Sequence, residues 1–248
     1  MPTTGGRSRD NGRVGETDAA PRPAPARNGR RGGHALEGGE GIPDIVIRRL
    51  PVYVRTLRGL AEAGVASVSS DELADHIGVT AAQIRRDLSY FGRFGKQGKG
   101  YETGALADAI ARILRLDRRW DVALAGFGNL GRAVAHYRGF LPAFRVAAIF
   151  DHNAERVGER VGEVAIRHLD EIEATVAREG IRIGIVAVPA AAAQEVADRM
   201  VAGGVRALLN YAPVVLRVPP YVTVREVDPV GAMQSMTYYL AEDEGDIG

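Results

Sequence analysis

The feature that most constrains the fold of this chain is a glycine-rich turn between two short apolar runs near its middle. The first run covers residues 122–125, the turn Gly-Phe-Gly-Asn-Leu-Gly covers 126–131, and the second run, 146–150, ends at Asp151. A strand, a G-x-G-x-x-G turn that opens a helix, and a second strand ending in an acid make up the dinucleotide-binding fingerprint. The pattern predicts a parallel sheet with a nucleotide at its edge; an ordinary α/β domain with a glycine-rich turn is the alternative.

The glycines of this turn have distinct expected roles. Gly126 permits the tight turn out of the strand, Gly128 lets the backbone approach a pyrophosphate, and Gly131 lets the helix pack on the strand. The helix that begins near Asn129 directs free N–H groups and its positive end toward the phosphates. Three further positions lie at the ends of later strands, where a nicotinamide is expected to rest. The predicted nucleotide-binding residues are Gly126, Phe127, Gly128, Asn129, Leu130, Gly131, Asp151, Val188, Pro189 and Asn210.

Two side chains near the second strand bear on which nucleotide is bound. A carboxylate at this strand end accepts hydrogen bonds from the adenosine ribose and repels a 2′-phosphate, so Asp151 favours NAD(H) over NADP(H). The alternative is that Asp151 only caps the turn after its strand. Arg156 can pair with a phosphate, but we expect it on the solvated face of a helix.

From residue 121 onward, short apolar runs alternate with helical stretches, which is typical of a parallel sheet covered by helices. The runs that predict strands are 122–125, 146–150, 163–166, 182–188, 205–209 and 222–227. The stretches that predict helices are 129–138, 168–179, 190–202 and 229–240. The second half of the chain is therefore predicted to be an α/β domain of the Rossmann type.

The segment before this domain has the pattern of a helix-turn-helix. Ser69 or Ser70 is expected to cap a first helix, with acids in its first turn. Gly78 makes the turn, and Thr80 caps a second helix over 81–91. Such a unit is typical of proteins that bind duplex DNA.

Further elements flank the helix-turn-helix. The glycine-rich stretch 92–101 predicts a hairpin or a flexible wing, and a helix over 104–116 follows. Upstream, apolar residues recur at helical spacing from Ile45 to Leu60. Pro51 lies inside that pattern and is expected to kink or split the helix. The first half of the chain is therefore predicted to be a winged helix-turn-helix.

The second helix of this unit carries side chains suited to DNA. Its N-terminal half meets base edges in the major groove, where arginine bonds guanine and glutamine bonds adenine. Between residues 85 and 100 there are five basic residues and one acidic residue, Asp87, although the net charge of the whole chain is only +1. A basic helix that is merely solvated is the alternative. The residues predicted to bind DNA are Gln83, Arg85, Arg86, Arg93, Lys96 and Lys99.

Composition removes several classes of function. Cysteine is absent, which excludes disulfides, Cys-ligated zinc, iron–sulfur clusters and thiol-based redox switches. No apolar run reaches about 18 residues, and the N-terminus lacks the apolar region of a secretory signal, so we expect a cytoplasmic protein without a membrane span. The histidines form no pairing typical of a metal site or a catalytic centre.

Chain length favours a sensor over an enzyme. A dehydrogenase needs a substrate domain or long loops to orient a reductant and a proton donor. Only residues 211–248 follow Asn210, and the DNA-binding unit already uses the ordered residues before the glycine turn. A small NAD-dependent dehydrogenase or reductase is the runner-up, and a structural nucleic-acid protein with an unused nucleotide fold is a third hypothesis.

The motifs of this chain resemble those of a known family. The stretch 84–101, Ile-Arg-Arg-Asp-Leu-Ser-Tyr-Phe-Gly-Arg-Phe-Gly-Lys-Gln-Gly-Lys-Gly-Tyr, resembles the recognition helix and wing of the Rex family of redox-sensing transcriptional repressors. The likeness spans about residues 42–241 and leaves out only the tails. Its later motifs are at 126–131, 149–151, 187–189, 209–213 and 227–228.

This resemblance implies a homodimer that binds a palindromic operator in double-stranded DNA when NADH is low and leaves it when NADH binds. NADH and NAD⁺ are the implied cofactors. The subunits are implied to exchange the C-terminal helix, here about 229–241, and Tyr137 and the partner subunit's Asp228 are implied to take part in the switch. From the residues alone, Tyr137 belongs to the core and Asp228 caps a helix, while the apolar face of that helix fits either burial against a partner or packing on its own sheet.

We therefore expect four segments. Residues 1–41 form a disordered tail, because they contain too few large apolar residues to offset the entropy of ordering. The winged-helix DNA-binding domain covers 42–117, and the Rossmann NAD(H)-binding domain covers 118–227. A swapped C-terminal helix and an acidic tail complete the chain over 228–248.

Overall fold

The computed structural model describes residues 41–95, 100–140 and 142–243. The predicted disordered tail, apart from residue 41, lies outside the described residues. So do the predicted DNA contacts Lys96 and Lys99 and the last five residues of the predicted acidic tail. The first six elements are α1 (Asp44–Glu62), β1 (Ser67–Val68), α2 (Ser70–Ile77), α3 (Ala81–Ser89), β2 (Tyr101–Glu102) and α4 (Thr103–Ile113).

The helix-turn-helix forms through local capping, as predicted. The Ser69 hydroxyl accepts from the N–H of Glu72, whose carboxylate accepts from the N–H of Ser69, so the two residues form a capping box at the start of α2. Helix α2 ends at Gly78, whose φ of 77° is in the left-handed region. The hydroxyl of Thr80 then accepts from the N–H of Gln83 and caps α3.

Helix α1 differs from the sequence prediction, because it runs unbroken through Pro51. The proline removes the donor for the carbonyl of Ile47, and since Pro51 is exposed, water can replace that donor. The buried stripe is Val46, Leu50, Tyr53, Val54 and Leu57. Ile45, which the pattern placed in this stripe, is 54% exposed.

The C-terminal end of the wing is held by a short two-stranded sheet. Strand β2 pairs antiparallel with β1, and Tyr101 lies opposite Val68. The described end of the predicted hairpin therefore pairs with the strand before α2. The hydroxyl of Thr103 donates to the carbonyl of Val65 across 2.6 Å and fixes the start of α4 beside this small sheet.

The second half contains every predicted strand and helix, most with ends shifted by a few residues. Its strands are β3 (Trp120–Ala125), β4 (Phe144–Asp151), β5 (Arg160–Val161), β6 (Val164–His168), β7 (Ile183–Val186), β8 (Ala207–Asn210) and β9 (Thr223–Glu226). Its helices are α5 (Asn129–Ala135), α6 (Ile172–Glu179), α7 (Ala190–Gly203) and α8 (Pro229–Asp243). The parallel α/β architecture is confirmed.

The seven strands form one sheet in the order β5-β6-β4-β3-β7-β8-β9. All pairings are parallel except that of the short edge strand β5 with β6. Apolar clusters cover both faces of this sheet. One includes Phe150, Val176 and Met200, and the other includes Leu124 and Val134, as expected for a doubly wound sheet.

Helix α8 has apolar side chains that contact little else in this chain. The exposed large apolar residues of this helix are Val230, Met233, Met236, Tyr238, Tyr239 and Leu240. Among the described helices, including α8, none combines the length and apolar composition needed to cross a bilayer.

Candidate functional site

The crevice at the middle of the sheet is where such folds bind ligands. The chain leaves β3 toward β4 on one side and later returns as β7 on the other. Ligands of open α/β sheets bind at this reversal, beyond the carboxyl ends of the strands. The turn 126–131 follows β3, and residues 187–189 follow β7, so two groups of predicted nucleotide-binding residues meet there.

The glycines of the turn are required by close backbone approaches. Gly126 has a φ of 90°, and a Cβ on it would lie 2.3 Å from the carbonyl oxygen of Ala187. A Cβ on Gly131 would lie 1.9 Å from the carbonyl oxygen of Gly126, so α5 can approach β3 only with a glycine there. By contrast, nothing lies within 4 Å of a Cβ on Gly128. The protein leaves space above Gly128, where a ligand can approach the backbone.

The turn is divided between a buried and an exposed half. Gly126, Phe127 and Gly131 are buried, whereas Gly128, Asn129 and Leu130 are exposed. The exposed half is the N-terminus of α5, whose free N–H groups suit an anion. The arrangement fits a pyrophosphate on the exposed half, although α5 has only 7 residues.

Asp151 supports the turn from the neighbouring strand. Its buried carboxylate accepts from the N–H of Phe127 at 2.7 Å and from the N–H of Asn153 at 2.8 Å. The residue therefore does cap the turn after its strand, as the alternative interpretation expected. Oδ1, the acceptor for Asn153, also lies 3.4 Å from Nδ1 of His152. Oδ2, the acceptor for Phe127, has a second lone pair, so binding of a ribose stays a prediction compatible with this geometry.

Arg156 is placed differently from the sequence expectation. It lies in a short 3-10 turn after β4, and its guanidinium donates to the carbonyl of Phe127. The expectation of a solvated helix face was wrong, because the chain turns back toward the glycine turn directly after Asp151. The peptide groups of Phe127 are thus held on both sides, by Asp151 and by Arg156.

Asn210 is committed to its own loop. Its amide nitrogen donates to the carbonyls of Ala212 and Val214, and its amide oxygen accepts from the N–H of Ala212. The side chain is 1% exposed, so it shapes the loop after β8. Pro189 precedes the first turn of α7, and Val188 is buried beside Gly126. A direct contact of these three residues with a nucleotide remains a prediction.

The two residues with a predicted switch role are both at the surface of the chain. Tyr137 is 62% exposed and packs edge-on against Phe140, with 5.3 Å between ring centroids, so it does not belong to the core. Asp228 accepts from the N–H of Gly231 and caps α8. Tyr211 lies in the family-like motif 209–213, directly after β8, but it was not among the predicted site residues. Burial raises the pKa of Tyr211, and the nearby Tyr137 raises it further.

The predicted DNA-reading surface is built on α3. Arg85 and Arg86 are exposed, and the guanidinium of Arg85 donates to the hydroxyl of Ser70. Arg93 is also exposed, in the described part of the wing. Gln83 is only half-exposed, and its amide nitrogen donates to Asp87 at 2.6 Å, so part of its hydrogen-bonding capacity faces the protein.

Asp87 is a functional candidate that sequence reasoning missed, since it counted there only as one negative charge. Its side chain is fully buried between α3 and α1. The carboxylate accepts from Arg49 at 2.6 and 2.8 Å, from the hydroxyl of Tyr53 at 2.7 Å and from Gln83 at 2.6 Å. Burial opposes its ionisation, but these hydrogen bonds outweigh burial and hold the pKa of Asp87 below its ordinary value.

Two family models match the chain, one on each half. Residues 41–89 match a family described as "Putative DNA-binding protein N-terminus", and residues 117–214 match the CoA binding domain. Within the described residues, no group of three or more His, Cys, Asp or Glu side chains is arranged to hold a metal ion.

Curated relatives cover most of the chain. It is 54% identical over 202 residues to the redox-sensing transcriptional repressor Rex of Roseiflexus sp. (strain RS-1), an alignment that covers 81% of this chain and 92% of the relative. It is 44% identical to the Rex repressor of Streptomyces coelicolor, with 83% of this chain and 80% of the relative covered.

Solved structures of one Rex-family repressor, RSP, share the fold. RSP in complex with β-NAD⁺ and operator DNA is 38% identical, with a TM-score of 0.78 and coverage of 84% of this chain and 99% of RSP. RSP in complex with β-NADH is 37% identical, with a TM-score of 0.75 and coverage of 83% and 97%.

A helix-turn-helix joined to a dinucleotide-binding sheet is typical of one class of protein, the DNA-binding regulators whose second domain has a nucleotide-binding fold. The two curated relatives are at least 44% identical and are covered over four-fifths or more of their length. The chain belongs to the Rex family of redox-sensing transcriptional repressors.

Proposed function

We propose that this protein is a repressor that binds operator DNA when NADH is low and leaves it when NADH binds. The observation that carries the proposal is that one chain holds both an exposed pair of arginines on a capped reading helix and an open glycine turn at a sheet crevice. Relatives named redox-sensing repressors, and a relative solved with NAD⁺, NADH and operator DNA, support it.

In this proposal, NADH or NAD⁺ lies across the carboxyl ends of β3 and β7. The N–H groups of Gly128 and Asn129 face the pyrophosphate, and Asp151 accepts from the ribose hydroxyls. Asp151 also disfavours a 2′-phosphate, so the proposed nucleotide is NAD(H). When bound, the cofactor supplies a ring whose charge differs between its oxidised and reduced forms.

On the DNA side, Arg85 and Arg86 reach base edges, while Arg93, Lys96 and Lys99 neutralise phosphates. Phosphate contacts give affinity for any sequence, and base contacts give the preference for an operator. A reading helix in the major groove needs both kinds of contact. Because Arg85 and Arg86 are the residues proposed to contact bases, we expect them to determine the sequence specificity of DNA binding.

We also propose that the protein is a homodimer. Helix α8 leaves six large apolar side chains exposed, and such a patch usually marks an interface. Exchange of α8 between subunits covers it and brings Tyr137 near Asp228 of the partner subunit for the switch. Sedimentation analysis tests this: a monomer at micromolar concentration contradicts the proposal.

The remaining parts of the proposal concern chemistry and location. We propose no metal and no catalytic turnover, since the described residues after β8 form one strand and one helix and offer little material for a substrate pocket. The relatives come from bacteria, where operator DNA lies in the cytoplasm, so the cytoplasm is the proposed site of action.

The test is a titration of the protein–operator complex with NADH, followed by fluorescence anisotropy of a labelled duplex. The duplex is first selected from a random library with the nucleotide-free protein. We expect NADH at micromolar concentration to release the duplex, and NAD⁺ to release less at equal concentration. Operator binding that ignores NADH refutes the switch. Turnover of NADH with a panel of carbonyl compounds, without a DNA footprint, identifies a dehydrogenase instead.

A further inference from the structure

The buried carboxylate of Asp87 is unusual for its position in the middle of a helix on the proposed DNA-binding side. Its side chain is 0% exposed, whereas that of its ion-pair partner Arg49 is 22% exposed. A carboxylate has about four lone-pair sites, and four hydrogen bonds occupy those of Asp87. The group therefore has no capacity left for a ligand or for DNA.

This network joins two helices by polar contacts. Arg49 and Tyr53 belong to α1, whereas Gln83 and Asp87 belong to α3. Apolar packing of Ile84 and Leu88 also holds α3 in the domain core, but apolar contacts are not directional. The two parallel hydrogen bonds from the guanidinium of Arg49 fix both distance and angle. The carboxylate thus restrains the rotation and the position of α3 along its axis.

The restraint bears on the two arginines that precede Asp87. Successive residues of an α-helix are turned by about 100°, so with Asp87 pointing inward the side chains of Arg85 and Arg86 point outward, as their exposure requires. Any rotation of α3 carries both arginines with it. Buried ion pairs contribute little net stability, and their best-attested role is to select one arrangement over others.

We propose that Asp87 is a positioning residue for sequence reading: through Arg49 and Tyr53 it sets the pose of α3, so that Arg85 and Arg86 meet base edges. Asp87 itself touches no DNA. The inference rests on the DNA-binding function proposed above. The proposed role predicts different effects on specific and non-specific DNA binding. Contacts to phosphates tolerate a shifted helix, whereas contacts to base edges do not.

The test compares two duplexes of equal length, one selected from a random library with the wild-type protein and one with a scrambled sequence. The full chain carries Asp87→Asn, and Asp108→Asn is the matched control, since Asp108 is an exposed acid of the same domain on α4. Dissociation constants come from fluorescence anisotropy at several salt concentrations, and thermal unfolding and NADH binding report on the fold.

For Asp87→Asn we expect affinity for the selected duplex to fall at least about tenfold, the size of one lost base contact, while affinity for the scrambled duplex stays within about twofold. Asp108→Asn should leave both values unchanged. A selected-to-scrambled ratio that stays at the wild-type value in Asp87→Asn overturns the inference. A wild-type protein that never prefers the selected duplex refutes instead the proposed function.

A second variant separates position from stability. Arg49→Met with Asp87→Leu replaces the ion pair by apolar side chains, which often costs little stability. If the double variant unfolds near the wild-type temperature and still lacks the preference for the selected duplex, the positioning role stands. If the preference returns together with the stability, Asp87 acts only by keeping the domain folded and the inference is wrong.

Discussion

Two glycines of the turn, three residues apart, should respond in opposite ways to the same substitution. Gly131→Ala places a methyl group 1.9 Å from the carbonyl oxygen of Gly126, whereas the methyl group of Gly128→Ala meets nothing within 4 Å. The first change perturbs the protein itself. The second perturbs only what lies on the turn, which in our proposal is the pyrophosphate of NADH.

The magnitudes follow from these distances. A carbon and a carbonyl oxygen normally stay about 3.3 Å apart or more, so Gly131→Ala must separate α5 from β3 and should cost about 1–3 kcal/mol. For a domain of about 110 residues, each kcal/mol lowers the unfolding temperature by about 4 °C. The φ of −70° at Gly128 is open to alanine, so Gly128→Ala should cost less than about 1 kcal/mol.

The effect of Gly128→Ala on affinity is larger, because a methyl group holds the phosphates away from the helix N-terminus. Loss of that interaction and of one charge-assisted hydrogen bond removes about 2–4 kcal/mol, which corresponds to about 30- to 1,000-fold weaker NADH binding. Calorimetric titration measures the affinity, and thermal unfolding measures the stability. A stable Gly128→Ala protein that binds NADH as tightly as the wild type refutes the placement of the pyrophosphate.

Three further predictions concern acidic and basic side chains. Asp151→Ala should weaken NADH binding at least about tenfold through loss of the bonds that support the turn, with DNA binding of the nucleotide-free protein intact; loss of both in a binding assay indicates misfolding instead. Replacement of both Arg85 and Arg86 by alanine should remove about 1–3 kcal/mol per base contact from operator affinity and spare NADH binding by calorimetry. Because the pKa of Asp87 is below its ordinary value, its stabilising effect is present above the unfolded pKa and is lost as pH falls, so Asp87→Asn should flatten the acid side of a plot of unfolding temperature against pH. An equally steep decline in this variant contradicts that assignment.

The sequence predicted the fold where local patterns and global packing agree. The capping residues Ser69 and Thr80 and the glycine at 78 mark the ends of α2 and α3 by chemistry that acts over a few residues. The alternation of apolar runs and helices similarly determines the parallel sheet. Pro51 shows the limit of this reasoning, since its effect depends on whether it faces solvent, and only the packed structure fixes that.

The site was predictable where backbone geometry imposes a residue type, and less so where a side chain has several partners to choose from. Gly126 and Gly131 were identified because no other residue fits. Arg156 was misjudged, and the contacts of Asn210 within its own loop were not predicted, because a polar side chain bonds whatever the folded chain brings near it. Asp87 was missed for the same reason: its partner Arg49 lies 38 residues away in the sequence, and no local pattern connects them.

The proposed switch limits where the two forms of the cofactor can be distinguished. Shifting a two-state protein from 1:99 to 99:1 requires a preference of about 10⁴-fold, or about 5.5 kcal/mol, which two equivalent sites of a dimer share as about 2.7 kcal/mol each. NADH and NAD⁺ carry the same pyrophosphate and adenosine ribose, so contacts at Gly128 and Asp151 contribute equally to the state preference of both nucleotides and do not distinguish them. The difference between the state preferences of NADH and NAD⁺ must therefore arise near the nicotinamide, on the side of Tyr137 in our proposal. Gly128→Ala should accordingly weaken both nucleotides by the same factor and leave their affinity ratio unchanged; a changed ratio places the discrimination in the turn and contradicts this division.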